Sequence, residues 1–349
     1  FSISTVMLKT SFKASDENGS SAFNDFRENR IIIANRLAEQ FYGPGANIPR
    51  YGTDIPVPAP GSPDYNFIAA NIGYPVGFGK NSQAVLIPAF LAAYTGLGVI
   101  DHRAGEAGNG VSLGAFRDFP IPNWSIKYNG LMRYGFFKER FKRFSIQHSY
   151  RASYTINSFR SNLDYDPNTP TQDNGGIGNF VNKNIIGNIN LVEQFNPLIR
   201  VDFEMKNAFK ILAEIKKDRS LSMSFDNNLL TEVQGKEFIV GVGYRFKDVI
   251  FSSQLADNPT GIIKSDINLK IDFSYRNNKT IVRYLDYDNN QLGGGQNIWS
   301  AKLTADYAFS KNLTAIFFYD HSFSKPVIST SFPLTNIRAG FTMRYNFGN

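Results

Sequence analysis

The sequence predicts an all-β fold: an antiparallel transmembrane β-barrel segment, about 10–12 strands of a larger barrel, with a helix-containing insertion. Three observations carry the prediction. Residues 337–349 alternate almost perfectly, with Ile337, Ala339, Phe341, Met343, Tyr345 and Phe347 on one side and Arg338, Gly340, Thr342, Arg344, Asn346 and Gly348 on the other. A period of two sends successive side chains to opposite faces of a strand. Six further segments between residues 123 and 309 repeat the pattern, with charge on the polar side. The chain is also 14% aromatic and 19% charged, with a mean hydropathy of -0.26. Strands with lipid on one side and water on the other average to such a value.

A soluble edge strand ending on such a stripe would invite edge-to-edge pairing; the last strand of a soluble sandwich is the alternative for that segment alone. No run of 18 uncharged apolar residues occurs, so a transmembrane helix is excluded. The longest candidate, 85–100, is broken by Pro88, Gly96 and Gly98. The chain has no cysteine, which removes disulfides, thiolate zinc sites and thiol nucleophiles together. Its formal charge is +7, but the cations are scattered singly along strand faces and form no dense basic helix, so nucleic acid is not an expected partner. The chain opens in mid-strand on Phe1 without a methionine, which is expected of a processed product or a piece of something longer.

In chain order, residues 1–14 read as a barrel strand and 15–122 as an extracellular insertion with two helices, acting as cap, gate or partner surface. The first helix spans 20–41, with Phe23, Phe26, Ile33, Leu37 and Phe41 at helical spacing and Gly43 as the stop. Residues 43–63 hold too many Pro and Gly for regular structure. The second helix starts near Ser82 and stops at Gly96. Its stretch 85–94 is too apolar for water and too short to cross a bilayer. It must therefore dock on protein, through Leu86, Phe90 and Leu91, in the lumen, over the pore mouth or against a partner.

Residues 123–349 are antiparallel barrel strands to the C-terminus. The triplet at 217–219 and the pair at 277–278 are either hairpin turns or parts of strands about twenty residues long; the unbroken odd face of 211–225 slightly favours one long strand. Facing a water-filled lumen are Lys127, Arg151, Arg200, Lys270, Asp272, Lys302, Asp306, Arg338 and Arg344. Tyr345 and Phe347 form the terminal aromatic signal that directs barrel assembly. With a periplasmic C-terminus, alternation places 15–122 and 161–180 outside the cell. The mixed phenylalanine and Lys/Arg run at 136–144 reads as a short amphipathic segment on the periplasmic membrane surface.

Several segments resemble one family. They are SQAVLIPAFLAAYTG (82–96), PNWSIKYNGL (122–131), FFKERFKRF (136–144) running into HSYR (148–151), EQFNPLIRVD (193–202), NNLLTE (227–232) and GVGYRFKD (241–248), with SDINL (265–269) and SFP (331–333) continuing the match. Together they are similar to the C-terminal part of the SprA/Sov family, the outer-membrane translocon of the type 9 secretion system. The resemblance implies a giant single-chain barrel of about 36 strands, of which this chain is the C-terminal third or less. It implies a lateral opening in the wall and, as partners, a PorV-like outer-membrane barrel protein and a periplasmic plug protein. It further implies folded cargo carrying a C-terminal secretion domain, including gliding adhesins.

No catalytic, metal or cofactor site is expected. Of the three histidines, His148 lies on an apolar strand face, where an interfacial or buried imidazole is the simple reading. Asp320 and His321 point to opposite faces. Asp164, Asp166 and Asn168 open like a calcium loop, but Thr169 replaces the turn glycine and Gly175 the closing glutamate, so an EF-hand is not expected; a solvated loop is the main reading of 161–176 and a looser surface calcium site the alternative. Gly241 and Gly243 sit mid-strand with no helix after them, and are no phosphate cradle; they let something pack close to the wall. The leading function is a protein-conducting channel component. The alternatives are an outer-membrane small-molecule transporter or porin occluded by its own long loop, and a soluble β-rich binding protein.

Overall fold

A computed structural model describes residues 8, 10–95, 123–169, 178–252, 261–287, 289–310, 312–328 and 331–347. Alternating β-branched, aromatic and polar residues favour pleated strands, and strands dominate. Two short ones, β1 (Ser15–Asp16) and β2 (Gly19–Ser20), lead into helix α1 (Ser21–Tyr42), followed by α2 (Tyr65–Ala70) and α3 (Gln83–Thr95). Then come β3 (Trp124–Tyr128), a one-turn 3-10 helix (Gly130–Arg133) and α4 (Gly135–Arg140). The remainder is β4 (Phe141–Ser161), β5 (Asn184–Met205), β6 (Phe209–Ser224), β7 (Leu229–Ser252), β8 (Ile262–Tyr284), β9 (Asn290–Ala308), β10 (Leu313–Pro326) and β11 (Leu334–Tyr345).

Strands β3 to β11 form one nine-stranded sheet in sequence order, every pair antiparallel. Such a meander needs only short connections between neighbours. Among the described residues the sheet is open, with β3 and β11 at its edges. The strands are tall. Residues 217–219 lie inside β6 and 277–278 inside β8, not in turns. With 23 residues, β8 is about 75 Å long at ~3.3 Å per residue. Pro197, which cannot donate to a ladder, sits in the register shift between Phe195 and Ile199. His148 Nδ1 lies 2.6 Å from the Leu198 carbonyl oxygen there.

Of the residues expected to form a first strand, 1–7 and 9 lie outside the described set. Leu8 and residues 10–14 do not join the nine-stranded sheet but pass over one of its faces.

The largest apolar cluster lies between the insertion and one end of that face. Ser20 caps α1 by accepting the Phe23 N–H, and Gly43, at φ 95°, ends it. Phe26, Ile33 and Leu37 of α1 and Val85, Leu86 and Phe90 of α3 pack with Ile189, Leu191, Leu221, Met223 and Leu230 of the sheet, all nearly inaccessible. The Phe26 and Phe90 rings meet edge to face at 5.7 Å. Over much of the remaining sheet, large apolar side chains such as Phe273, Phe317 and Phe341 stay exposed.

Candidate functional site

The register gives the sheet two chemically distinct faces. All nine residues expected in the lumen share one of them. Asp272 stands opposite Lys302, Lys302 opposite Asp320 and Asp320 opposite Arg338, so charge alternates across four strands. Arg200 faces Glu214 across β5–β6, Lys127 faces Gln147, Arg151 faces Gln194, Asp306 faces Asn268 and Arg344 faces Thr314. Lys270 bonds Asp272 at 2.6 Å and Arg338 bonds Asp320 at 3.0 Å. Arg200 reaches Asp202 at 3.3 Å and Glu214 at 3.7 Å. The face is polar but internally compensated. The mid-strand Gly241 serves this ladder: a Cβ there would stand 2.5 Å from Asp272 Oδ1.

The opposite face is aromatic. Phe238, Tyr275, Trp299 and Phe323 stand directly opposite one another across β7–β10. Toward the other end of the strands a second row holds Phe246, Ile267 and Tyr307, and Tyr307 contacts Phe251 and Phe309 at 5.0 and 5.1 Å between ring centres. Between the rows the side chains are Val240, Val242 and Tyr244 on β7, Leu269, Ile271 and Phe273 on β8, Ala301, Leu303 and Ala305 on β9, and Phe317, Tyr319 and His321 on β10. On β11 the face continues through Ile337, Phe341 and Met343, all more than half exposed. The two rows lie eight residues apart along β7, β8 and β9, and the nine-residue stretch that includes both is about the length that crosses a hydrocarbon layer at a tilt.

Beyond the first aromatic row this face carries buried charge, a feature that sequence reasoning missed. Glu193 pairs with Arg219 at 3.2 Å, and Glu232 with Arg283 at 3.2 Å. All four are at most 6% exposed. The N-terminal segment crosses them as a strap, perpendicular to the strands. The Tyr150 hydroxyl accepts the Leu8 N–H at 3.2 Å, and the Ser11 hydroxyl donates to Glu193. Arg219 donates to the Thr10 carbonyl at 3.1 Å and hydroxyl at 2.7 Å. Lys217 reaches the Ser11 carbonyl, and Gln234 the Ser15 carbonyl at 3.1 Å. Arg283 ends the row on the Ser15 hydroxyl at 2.6 Å and the Asp16 carbonyl at 2.9 Å. Burial, then the negative charge of Glu232, raises the pKa of Tyr94, which stays protonated above the pairs. The visible sequence signal was the pair of cations on the odd face of β6.

Above the strap sits the docking helix. Leu86 and Phe90 are wholly buried, and Leu91 packs against the same cluster. The Gln83 side chain extends the ladder of β5, donating to the Asn184 carbonyl at 2.9 Å and accepting the Ile186 N–H at 2.8 Å. Asp286, after β8, takes hydrogen bonds or ion pairs from Asn81 at 2.8 Å, Lys80 at 3.0 Å and Arg30 at 3.6 Å. The helix thus docks on the aromatic side of the wall, opposite the nine charged residues.

At the far end, Phe136 and Phe137 lie on α4, where Arg140 stacks 4.3 Å over Phe136. Phe137, Phe141, Phe144 and Phe203 join in one ring cluster. Tyr345 and Phe347 touch at 4.7 Å, with Phe347 almost fully exposed; Gly348 and Asn349 lie outside the described residues. The Asp166 carboxylate closes a local turn, accepting from the N–H and side chain of Asn168 and from Thr169. Residues 170–177 of the loosely calcium-like loop lie outside the described set. Among the described residues no three His, Asp or Glu side chains cluster as metal ligands, and no helix is long and apolar enough to cross a membrane. No protein-family model matches the chain, and no curated protein does.

Proposed function

We propose that the chain is the C-terminal wall of a large outer-membrane protein-conducting channel, the translocon class its sequence resembles, working in type 9 secretion and gliding motility without a catalytic centre. One observation carries this: a single tall sheet with an aromatic band of membrane height on one face and a compensated charge ladder on the other. Lipid satisfies the band, and water satisfies the ladder. Paired charges bind neither sign of cargo surface strongly, which suits passage of folded proteins. An unpaired strand edge cannot stay in hydrocarbon, so β3 and β11 call for further wall strands or a partner barrel of the PorV type. A periplasmic plug would close the channel from below.

The docking side of the insertion favours this over the self-occluded transporter. A plug would lie before the charged face, whereas the insertion lies on the other flank, as a partner surface.

The test places photo-crosslinkers in the full-length gene product in its own cells, at Lys270 and Lys302 on one face and at Phe273 and Ala301 on the other. Exported folded protein should be captured at the first pair and lipid at the second. Export at wild-type rate with no cargo captured at Lys270 or Lys302 overturns the proposal.

A further inference from the structure

We infer that the aromatic face holds, across β7–β10, a binding site for a lipid whose headgroup bears a phosphate at each end, the chemistry of the lipopolysaccharide of an outer leaflet. The inference rests on the membrane reading above. A shallow groove of about 460 Å³ lies on this face, lined by Phe238, Phe273, Tyr275, Trp299, His321 and Phe323. The strap stops short of it: its last contacts reach Lys279 through Glu17, at 4.0 Å, and Arg283.

One step beyond the aromatic row, the residues directly opposite one another are Lys236, Asn277, Asn297 and Lys325. The centre of that row is fixed, with Asn277 and Tyr275 both donating to Asn297 Oδ1. Its ends are not. Lys236 and Lys325 are exposed and form no ion pair among the described residues, while Lys217 and Lys279 on the same face are engaged by the strap. The Lys236 ammonium lies 4.8 Å over the Phe238 ring, at the level where aromatic and long basic side chains meet headgroups.

Three strand spacings separate the two lysines, roughly 14 Å at ~4.8 Å each. A lipid with a single phosphate satisfies one lysine and leaves the other; a diphosphorylated disaccharide reaches both, with its acyl chains laid along Phe273 and Trp299. Each basic residue near an anionic lipid surface contributes measurably to binding.

The test purifies full-length protein from the membrane, delipidates it, and measures retention of diphosphoryl lipid A, monophosphoryl lipid A and phosphatidylglycerol by native mass spectrometry. Wild type should hold the diphosphoryl lipid best, and Lys236→Gln/Lys325→Gln should weaken it roughly tenfold or more. Lys279→Gln should leave it unchanged. Equal retention of the three lipids, an unaffected double variant, or a polypeptide in the groove overturns the site. Recovery of the wild type outside the membrane fraction would instead overturn the membrane reading.

Discussion

Arg283 is wholly buried, and it bonds Glu232 and the strap at once. Even so, among the described residues Arg283 Nη1 and Glu232 Oε1 have no hydrogen-bond partner of their own. A buried pair of this kind adds little net stability, but removing one partner strands the other's charge in a medium that cannot solvate it. Arg283→Met should therefore destabilise the strap and its sheet region by about 3–5 kcal/mol, read as a lower thermal midpoint in detergent. Glu232→Gln/Arg283→Met should recover most of the loss; a single variant as stable as wild type would contradict the role. The sequence made the alternation of these strands plain but not the pairs. Glu193, Arg219, Glu232 and Arg283 interrupt an apolar face, and an interruption alone reads equally as a turn, an exposed strand end or a buried network. Only register brings them together, over 26 to 51 residues of chain.

At the scale of elements, both long helices were legible, α1 because its apolar residues recur with helical period and α3 because it is an unbroken apolar run too long for a strand core, each with a glycine following it in the sequence. Where α3 docks was not, since a helix apolar all round has no preferred face to announce. The strap was missed for a related reason: residues 10–14 alternate weakly and carry no turn residue to separate a crossing segment from a strand. The insertion is latched at Asp286. Burial pushes its carboxyl pKa up, but hydrogen bonds from Asn81 and Lys80 and the charges of Lys80 and Arg30 outweigh it and hold the pKa below 3.8. A depressed carboxylate stabilises the docked state above its unfolded pKa and loses that contribution as pH falls through the lower, folded value. Protease cleavage within residues 43–63 should thus stay slow down to about pH 4 and rise several-fold below it. Asp286→Asn should cleave faster at neutral pH and show a much smaller acid step. A wild-type rate in that variant would remove Asp286 from the latch.

At the scale of the molecule, a protein whose largest packed core lies at the end of a tall, two-faced sheet depends on its surroundings to cover the rest. The aromatic face between its rows has the height and composition of a lipid-facing band, and the insertion and strap lie beyond the band on the same flank. Sequence period revealed that two faces exist. It could not reveal which one the insertion covers, because that depends on contacts more than a hundred residues apart. The absence of native cysteine makes the decisive measurement clean. Single cysteines at Phe273, Ser274, Phe341 and Thr342 of the full-length protein, in intact outer membranes, would be treated with a water-soluble maleimide. Ser274→Cys and Thr342→Cys should label, and Phe273→Cys and Phe341→Cys should resist until detergent dissolves the bilayer. Equal labelling of neighbours, or protection of the charged face instead, would contradict a wall with lipid on its aromatic side and water on its charged one.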